Sequence, residues 1–378
     1  MPQAGDEFFQ SKDFHPWSRV KDQILASYVT AYLAKISKRQ ADIILIDAFA
    51  GPGVTEDGEP GSPLIIIGAA ERLAKGRYTA YFVNKKRKHH RKLKSILEYR
   101  GLAHSAIAVL DDGPTYLSTI AQDLGRESVL LYVDPYGLNC AFGYLEPFLN
   151  RSRAYSTDLL INLQIPAAHR LAAKNATNNG KCVTDRLSSG LERLTRAFGG
   201  DYWKEFIYSD EKPNIREKLL ADEYKRRLAS TGYLTYTGVC PIQEYRGGAT
   251  KYYLIFASRH PDAMVICNDA MCKSVNEYLY HQEMGETLFS DISWKDWRDT
   301  SELDRVVVRY VETFPGRTRK DLWLPIIQDN FMNFTESEYK KSVSALVNSG
   351  EIICTTPIGS PQRKTKRLND NCVLEPRS

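Results

Sequence analysis

Short apolar runs recur through the first half of the chain, and each stops at a polar or acidic residue. Ile43 to Ile46 stops at Asp47, Tyr78 to Val83 at Asn84, Ala106 to Val109 at Leu110-Asp111-Asp112, Val129 to Val133 at Asp134, and Leu159 to Leu163 at Gln164. Continuously apolar runs, unlike alternating ones, read as strands buried on both faces, as in a mostly parallel sheet. Between them lie stretches suited to helices: Leu64 to Leu73, the basic run from Lys85 on to Leu97, 114 to 124, and 142 to 150. Parallel neighbours need such crossovers, so the alternation predicts a three-layer α/β domain. Ahead of the first strand, Trp17, Val20, Ile24, Leu25, Tyr28, Val29, Tyr32, Leu33 and Ile36 fall at helical spacing within 14 to 38, a stripe expected to pack across the sheet. Trp17 and Lys21, four apart, share one face of that helix and are read first as packing residues within reach of the site mouth.

Beyond the fifth strand the periodicity weakens. Pro166 to Pro213 reads as an insertion that covers the active face, with a turn at 174 to 180 and a helix from Leu187 to Phe198. Ser62 with Pro63 predicts the N-cap and first position of the helix after strand one. A helix from Ile215 to Leu228 precedes a β-hairpin, Val239 to Tyr245 and Thr250 to Ala257, turned by Arg246-Gly247-Gly248-Ala249. A helix follows from Ala270 to Tyr280, and the first domain is read as 1–285 with its insertion at about 166–213. A second unit, 300–378, has helical stretches at Leu303 to Val311 and Leu322 to Gln328 and a capping box at Thr335 and Glu338. Strands at Ile352 to Thr355 and Cys372 to Leu374 flank a polar, basic turn from Pro357 to Arg367, the outline of a winged helix.

Composition narrows the class without naming a reaction. With 378 residues the chain is long enough for one large core and a smaller one, and 43% hydrophobic with 26% charged residues is ordinary for a globular protein. No run approaches a membrane span and the N-terminus shows no secretory signal, so a cytoplasmic location and no membrane contact are expected. The seven cysteines, at 140, 182, 240, 267, 272, 354 and 372, form no CxxC pair, so no metal site is expected. A net charge of +5 matters less than its clustering in Lys85-Lys86-Arg87-Lys88-His89-His90-Arg91-Lys92, which opens a helix against its own dipole. Lys85, Lys86, Arg87, Lys88 and Arg91 are therefore candidate contacts for a nucleic acid. In the winged unit Lys340, Lys341, Arg363, Lys364 and Lys366 stand where DNA-binding members carry charge, although winged helices also serve as protein-contact modules.

The candidate chemistry sits at strand ends. Asp47-Ala48-Phe49-Ala50-Gly51-Pro52-Gly53 places a carboxylate and a sharp glycine turn where the sheet opens into its first crevice. If the first four strands are neighbours, Asn84 can hold ribose hydroxyls and Asp111 or Asp112 an adenine amine, giving a nucleoside pocket without a phosphate grip.

Those residues in that order resemble class I S-adenosylmethionine-dependent methyltransferases. The resemblance implies a Rossmann-like, mostly parallel seven-stranded sheet with a terminal antiparallel hairpin. It also implies S-adenosylmethionine as cofactor, held by Asp47, Phe49, Ala50, Gly51, Gly53, Asn84, Asp111 and Asp112. More closely, the chain resembles the three-Cys-motif partner family, through Trp17 with Lys21, the IDAFAGPG segment, Gly61-Ser62-Pro63-Leu64, Val133 to Gly137 and Leu254 to Ser258. That likeness covers most of 14 to 280 and implies a partner protein bearing three cysteines. Asp134-Pro135-Tyr136-Gly137 is similar to the Asp/Asn-Pro-Pro-Tyr signature of amino-group methyltransferases, with one proline instead of two. It implies Asp134, Pro135 and Tyr136 as the catalytic set and a base amine of DNA or RNA as acceptor. A weakly catalytic adaptor that binds a nucleoside and docks the three-cysteine partner is the alternative. An NAD-dependent oxidoreductase fits less well, because Glu56 stands where GxGxxG needs its third glycine.

Overall fold

The structure, a computed structural model, describes residues 16–176, 185–284, 293–355 and 368–377. The chain divides into two compact units, 1–263 and 264–378.

The first unit opens with α1 (Pro16–Ile36) and β1 (Ile43–Asp47), then α2 (Ser62–Leu73), β2 (Tyr78–Asn84), α3 (Arg87–Tyr99), β3 (Ala106–Leu110), α4 (Gly113–Asp123) and β4 (Ser128–Val133). A 3-10 turn (Phe142–Tyr144) and the short α5 (Glu146–Leu149) replace the single helix expected over 142 to 150. Pro147 has no N–H to return to Gly143, so the helix restarts there. Next come β5 (Thr157–Leu163), α6 (Ile165–Ala176), α7 (Asp185–Phe198), α8 (Trp203–Ile207), α9 (Pro213–Thr231) and the hairpin β6 (Tyr236–Gln243) and β7 (Thr250–Ser258). The turn read at 174 to 180 falls partly on α6 and partly outside the described residues.

Seven strands form one sheet in the order β3-β2-β1-β4-β5-β7-β6. The first five are parallel in register, and β7 runs antiparallel to both β5 and β6. This is the Rossmann-like, mostly parallel sheet with a terminal antiparallel hairpin. Every residue of β4 and β5 is buried, which is why 129–133 and 159–161 run apolar without alternation, while the buried Asp158 and Asn162 of β5 are hydrogen-bonded. The segment read as an insertion is part of the core: Leu194, Phe198 and Trp203 join Leu131, Val133 and Leu163 in one cluster. Strand order reverses between β1 and β4. The crevice beyond their carboxyl ends is therefore the topological switch point, where open α/β sheets take ligands.

Helix α10 (Pro261–Met284), longer than the Ala270 to Tyr280 expected, begins in the first unit and lies mostly in the second. The second unit continues with α11 (Trp294–Trp297), α12 (Leu303–Thr313), β8 (Arg317–Thr318), α13 (Arg319–Asp329), α14 (Glu336–Ser349), β9 (Ile352–Thr355) and β10 (Val373–Pro376). The three strands form an antiparallel sheet, β8-β10-β9, giving a helical subdomain of winged-helix outline. Strand β8, two residues long, has no apolar run to reveal it. Thr335 and Glu338 form the expected capping box, and Gly350 ends α14 in the left-handed region at φ 79°. Trp323 stacks on Tyr339 with ring centroids 4.7 Å apart in this unit's core. The turn from Pro357 to Arg367 lies outside the described residues, and Arg363, Lys364 and Lys366 with it. Among the described residues no helix is long and apolar enough to cross a membrane, and no cluster of three or more His, Cys, Asp or Glu gathers as a metal site.

Candidate active site

Asp47 ends β1 with no exposed surface. Its Oδ1 accepts the backbone N–H of Phe49 at 3.2 Å, and its Oδ2 accepts the hydroxyl of Ser62 at 2.7 Å. Burial pushes its carboxyl up to about 7 against the pull of those two donors, with Asp134 adding to the rise and Lys21 opposing it. Ser62 was expected to cap α2. The cap residue is Gly61 instead, with no side-chain bond, because the Ser62 hydroxyl is committed to Asp47. Gly53 adopts φ +88°, and a Cβ there would approach Leu93 Cδ1 to 2.9 Å, so the turn requires glycine. The long polar loop closes on itself through Thr55 and Glu59, and Gly61 N–H donates to Gly53 O at 2.9 Å.

The neighbouring strand ends press against this turn. Asn84 is 2% exposed, and in the orientation that satisfies its amide, Nδ2 donates to the carbonyls of Ala50 and Gly51. Gly113 sits so close that an added Cβ would fall 2.2 Å from Ala48 O and 3.1 Å from the Phe49 ring. Asp111 Oδ1 accepts Asp112 N–H at 2.7 Å, and Asp112 Oδ1 meets Lys85 Nζ at 2.8 Å. The sequence-predicted residues Asp47, Phe49, Ala50, Gly51, Gly53, Asn84, Asp111 and Asp112 thus share one sheet edge.

Asp134 anchors the other wall of the crevice. Lys21 Nζ lies 2.5 Å from Asp134 Oδ2, each side chain about one-fifth exposed (19% and 18%). Asn162 Nδ2 donates to Oδ1 at 2.6 Å, and the Tyr132 hydroxyl donates to Oδ2 at 3.3 Å. Burial works against the charge on Lys21, but Asp134, Asp22 and Asp47 outweigh it and hold the ammonium above its ordinary value. Burial pushes Asp22 up to about 6 despite Lys21 beside it. Asp134 pairs with the one ammonium, and Asp22 and Asp47 add negative charge to this mouth as pH rises through about 6 and about 7. Pro135, Leu138, Cys140, Ile161 and Tyr224 pack round a cavity of about 10 Å³, room for no more than one water. Tyr136 turns outward at 55% exposed.

Four residues of this assembly, Asp22, Ser62, Tyr132 and Asn162, were not foreseen in these roles, and Lys21 was read first as packing. Two left a signal. Asn162 is a polar residue inside an apolar strand, and Lys21 lies on the buried stripe of α1, three, four and seven residues before Ile24, Leu25 and Tyr28.

Of the basic candidates, Arg87, Lys88 and Arg91 are exposed on the first turns of α3, Lys85 is exposed but paired with Asp112, and Lys86 is half-buried. No acidic residue lies in that helix's first turn. In the second unit Lys340 is engaged by Glu336 at 2.9 Å and Asp370 at 3.5 Å, whereas Lys341 is exposed.

No family model matches the chain, and no curated protein matches it. Among solved structures it overlaps the mitomycin 7-O-methyltransferase MmcR at TM-score 0.30 and 13% identity, covering 64% of this chain and 54% of that one, about half its length. A putative O-methyltransferase from Klebsiella pneumoniae overlaps at TM-score 0.31 and 14% identity, covering 67% of this chain and 94% of that one. A dimethyladenosine transferase from Plasmodium falciparum overlaps at TM-score 0.28 and 10% identity, covering 86% and 96%. Strand order and the direction of β7, not these overlaps, establish the Rossmann-like fold with its terminal antiparallel hairpin.

Proposed function

We propose that the chain is an S-adenosylmethionine-dependent methyltransferase whose acceptor is carried by a nucleic acid, and that it belongs with the three-Cys-motif partner proteins. The observation that carries this reading is the charge at the switch point. Asp22, Asp47 and Asp134 face a single ammonium, Lys21, and at least two of those carboxyls are pushed upward by burial. A ligand bearing a sulfonium and an ammonium relieves that excess of negative charge, whereas a pyrophosphate adds to it. When bound, S-adenosylmethionine supplies an electrophilic methyl group. The Asp47–Gly53 turn, Asn84, Asp111 and Asp112 would hold its amino-acid and nucleoside parts. Asp134 orients the acceptor and Tyr136 offers an exposed ring on which a base can stack. A base amine, implied by the likeness of Asp134 to Tyr136 to the amino-group signature, and a hydroxyl are both acceptors a nucleic acid brings. Arg87, Lys88 and Arg91 would contact its backbone.

A second reading, a nucleoside-binding adaptor that docks a three-cysteine protein with little catalysis, is favoured by Asn84. Its buried amide faces the turn's own carbonyls and carries no charge toward a ribose. Isothermal titration of S-adenosylmethionine into the full chain and into Asp47→Ala tests the shared premise: binding should be present in the first and lost in the second. Binding without methyl transfer to DNA or RNA selects the adaptor.

A further inference from the structure

We infer, resting on the methyltransferase reading above, that the acceptor is a hydroxyl and not an amine, and that Lys21 binds it as a catalytic residue. The reasoning counts lone pairs. A carboxylate offers about four acceptor positions. On Asp134 one is filled by Asn162 at Oδ1 and two by Lys21 and Tyr132 at Oδ2, which leaves one for an incoming donor. The Lys21 ammonium has three N–H groups. Asp134 takes one, and the side chain keeps about one-fifth of its surface open beside that carboxylate.

An acceptor entering beside Asp134 therefore meets one vacant oxygen position and an ammonium seeking a lone pair. A hydroxyl satisfies both: its O–H donates to Asp134, one lone pair accepts from Lys21, and the other faces the methyl carbon. A neutral amine has a single lone pair, which must point at the methyl, so nothing remains for Lys21. The sign of the developing charge agrees. An amine becomes positive as its N–C bond forms, beside a cation. A hydroxyl oxygen becomes more negative as its proton leaves, and the cation stabilises it. Lys21 is held protonated by Asp134, Asp22 and Asp47, so it acts as a donor and not as a base.

The step balances without a further reactant. The oxygen–carbon bond forms as the carbon–sulfur bond breaks, sulfur keeps the electron pair and becomes a neutral thioether, and the hydroxyl proton passes to Asp134 and on to solvent. Of the two nucleic acids only RNA presents a hydroxyl at every residue, so the substrate class is the ribose 2′-hydroxyl of RNA.

The test incubates the full chain with methyl-labelled S-adenosylmethionine and either total RNA or DNA, digests to nucleosides, and locates the label by mass spectrometry on the sugar or base fragment. The expected result is label on the ribose fragment of RNA and none in DNA. At saturating S-adenosylmethionine, where any change in cofactor affinity drops out, Lys21→Met should lower the rate of transfer about 100-fold. Lys21→Arg, which keeps the charge, should retain more transfer than Lys21→Met. Label on a base fragment overturns the hydroxyl inference and leaves the methyltransferase reading standing. S-adenosylhomocysteine binding with no transfer to either nucleic acid overturns both. Because the wild-type chain locates the label, a variant that fails to fold does not remove the test.

Discussion

Asp47→Asn should flatten much of the pH dependence of stability in the first unit. The carboxyl has no exposed surface, and burial raises it to about 7. In the unfolded chain the same group titrates near 3.9. A carboxyl raised on folding contributes stability that is fully present below about 3.9 and is lost as pH rises through about 7. Between pH 5 and pH 8 the unfolded carboxylate gains about 1.4 kcal/mol for each unit, whereas the folded group stays protonated until near 7. The net loss over that window is about 2.5 kcal/mol. Asparagine matches the shape: its Oδ1 can accept the Phe49 N–H, and its amide can donate to the Ser62 hydroxyl once that rotor turns. Asp22 and Asp158, both raised to about 6 chiefly by burial, shift in the same direction but are present in both proteins and cancel in the difference. Urea unfolding of wild type and Asp47→Asn at pH 5 and pH 8 measures this double difference. The variant should gain about 2.5 kcal/mol relative to wild type on going to pH 8. Equal pH dependence in the two proteins, within about 0.5 kcal/mol, would refute the claim that Asp47 is a destabilised buried acid.

Gly113→Ala brings a Cβ to 2.2 Å from Ala48 O, a backbone atom that cannot swing away. It should cost about 3 kcal/mol, the upper end for overpacking, seen as a melting temperature lowered by roughly 10 °C. Replacing Arg87, Lys88 and Arg91 together by alanine should weaken RNA binding and reduce the slope of log affinity against log salt by about 2. An unchanged slope would remove α3 from the interface. Thr335→Ala removes the side-chain half of the capping box on α14, the hydroxyl that accepts the Glu338 N–H, and should destabilise the second unit by about 1 kcal/mol in chemical denaturation.

The fold was legible because each signal was local. Apolar runs without alternation placed β1, β2, β4 and β5 to within two residues, since strands buried on both faces are mostly apolar. The hairpin was readable from Arg246-Gly247-Gly248-Ala249, and Gly247 indeed takes φ +75°. Failures came where local preference was overridden. Pro147 broke a helix whose apolar spacing looked continuous. The stretch after β5 carries amphipathic helices whose large aromatic groups, Phe198 edge-on to Tyr202 and Tyr224, lie within the same core as the sheet.

The site was legible as far as strand ends go and no further, for a geometric reason. Asp47 and Asp134 were identifiable because one ends β1 and the other directly follows β4, and the neighbouring positions of these strands bring them together. Lys21 reaches Asp134 across 113 positions of sequence, and nothing local to either residue specifies that pairing. What the sequence did carry was a cost. A lysine on the buried stripe of α1 and an asparagine inside β5 are each unfavourable unless a partner waits. Two such costs on separate elements have a cheap joint solution in one shared acceptor, and Asp134 is that acceptor. The same logic bears on the Asp134-Pro135-Tyr136 segment. Read alone, its carboxylate is free to grip an amine. Read with Lys21, Tyr132 and Asn162 in place, it has one position left, and the chemistry open to it is set by residues outside the segment.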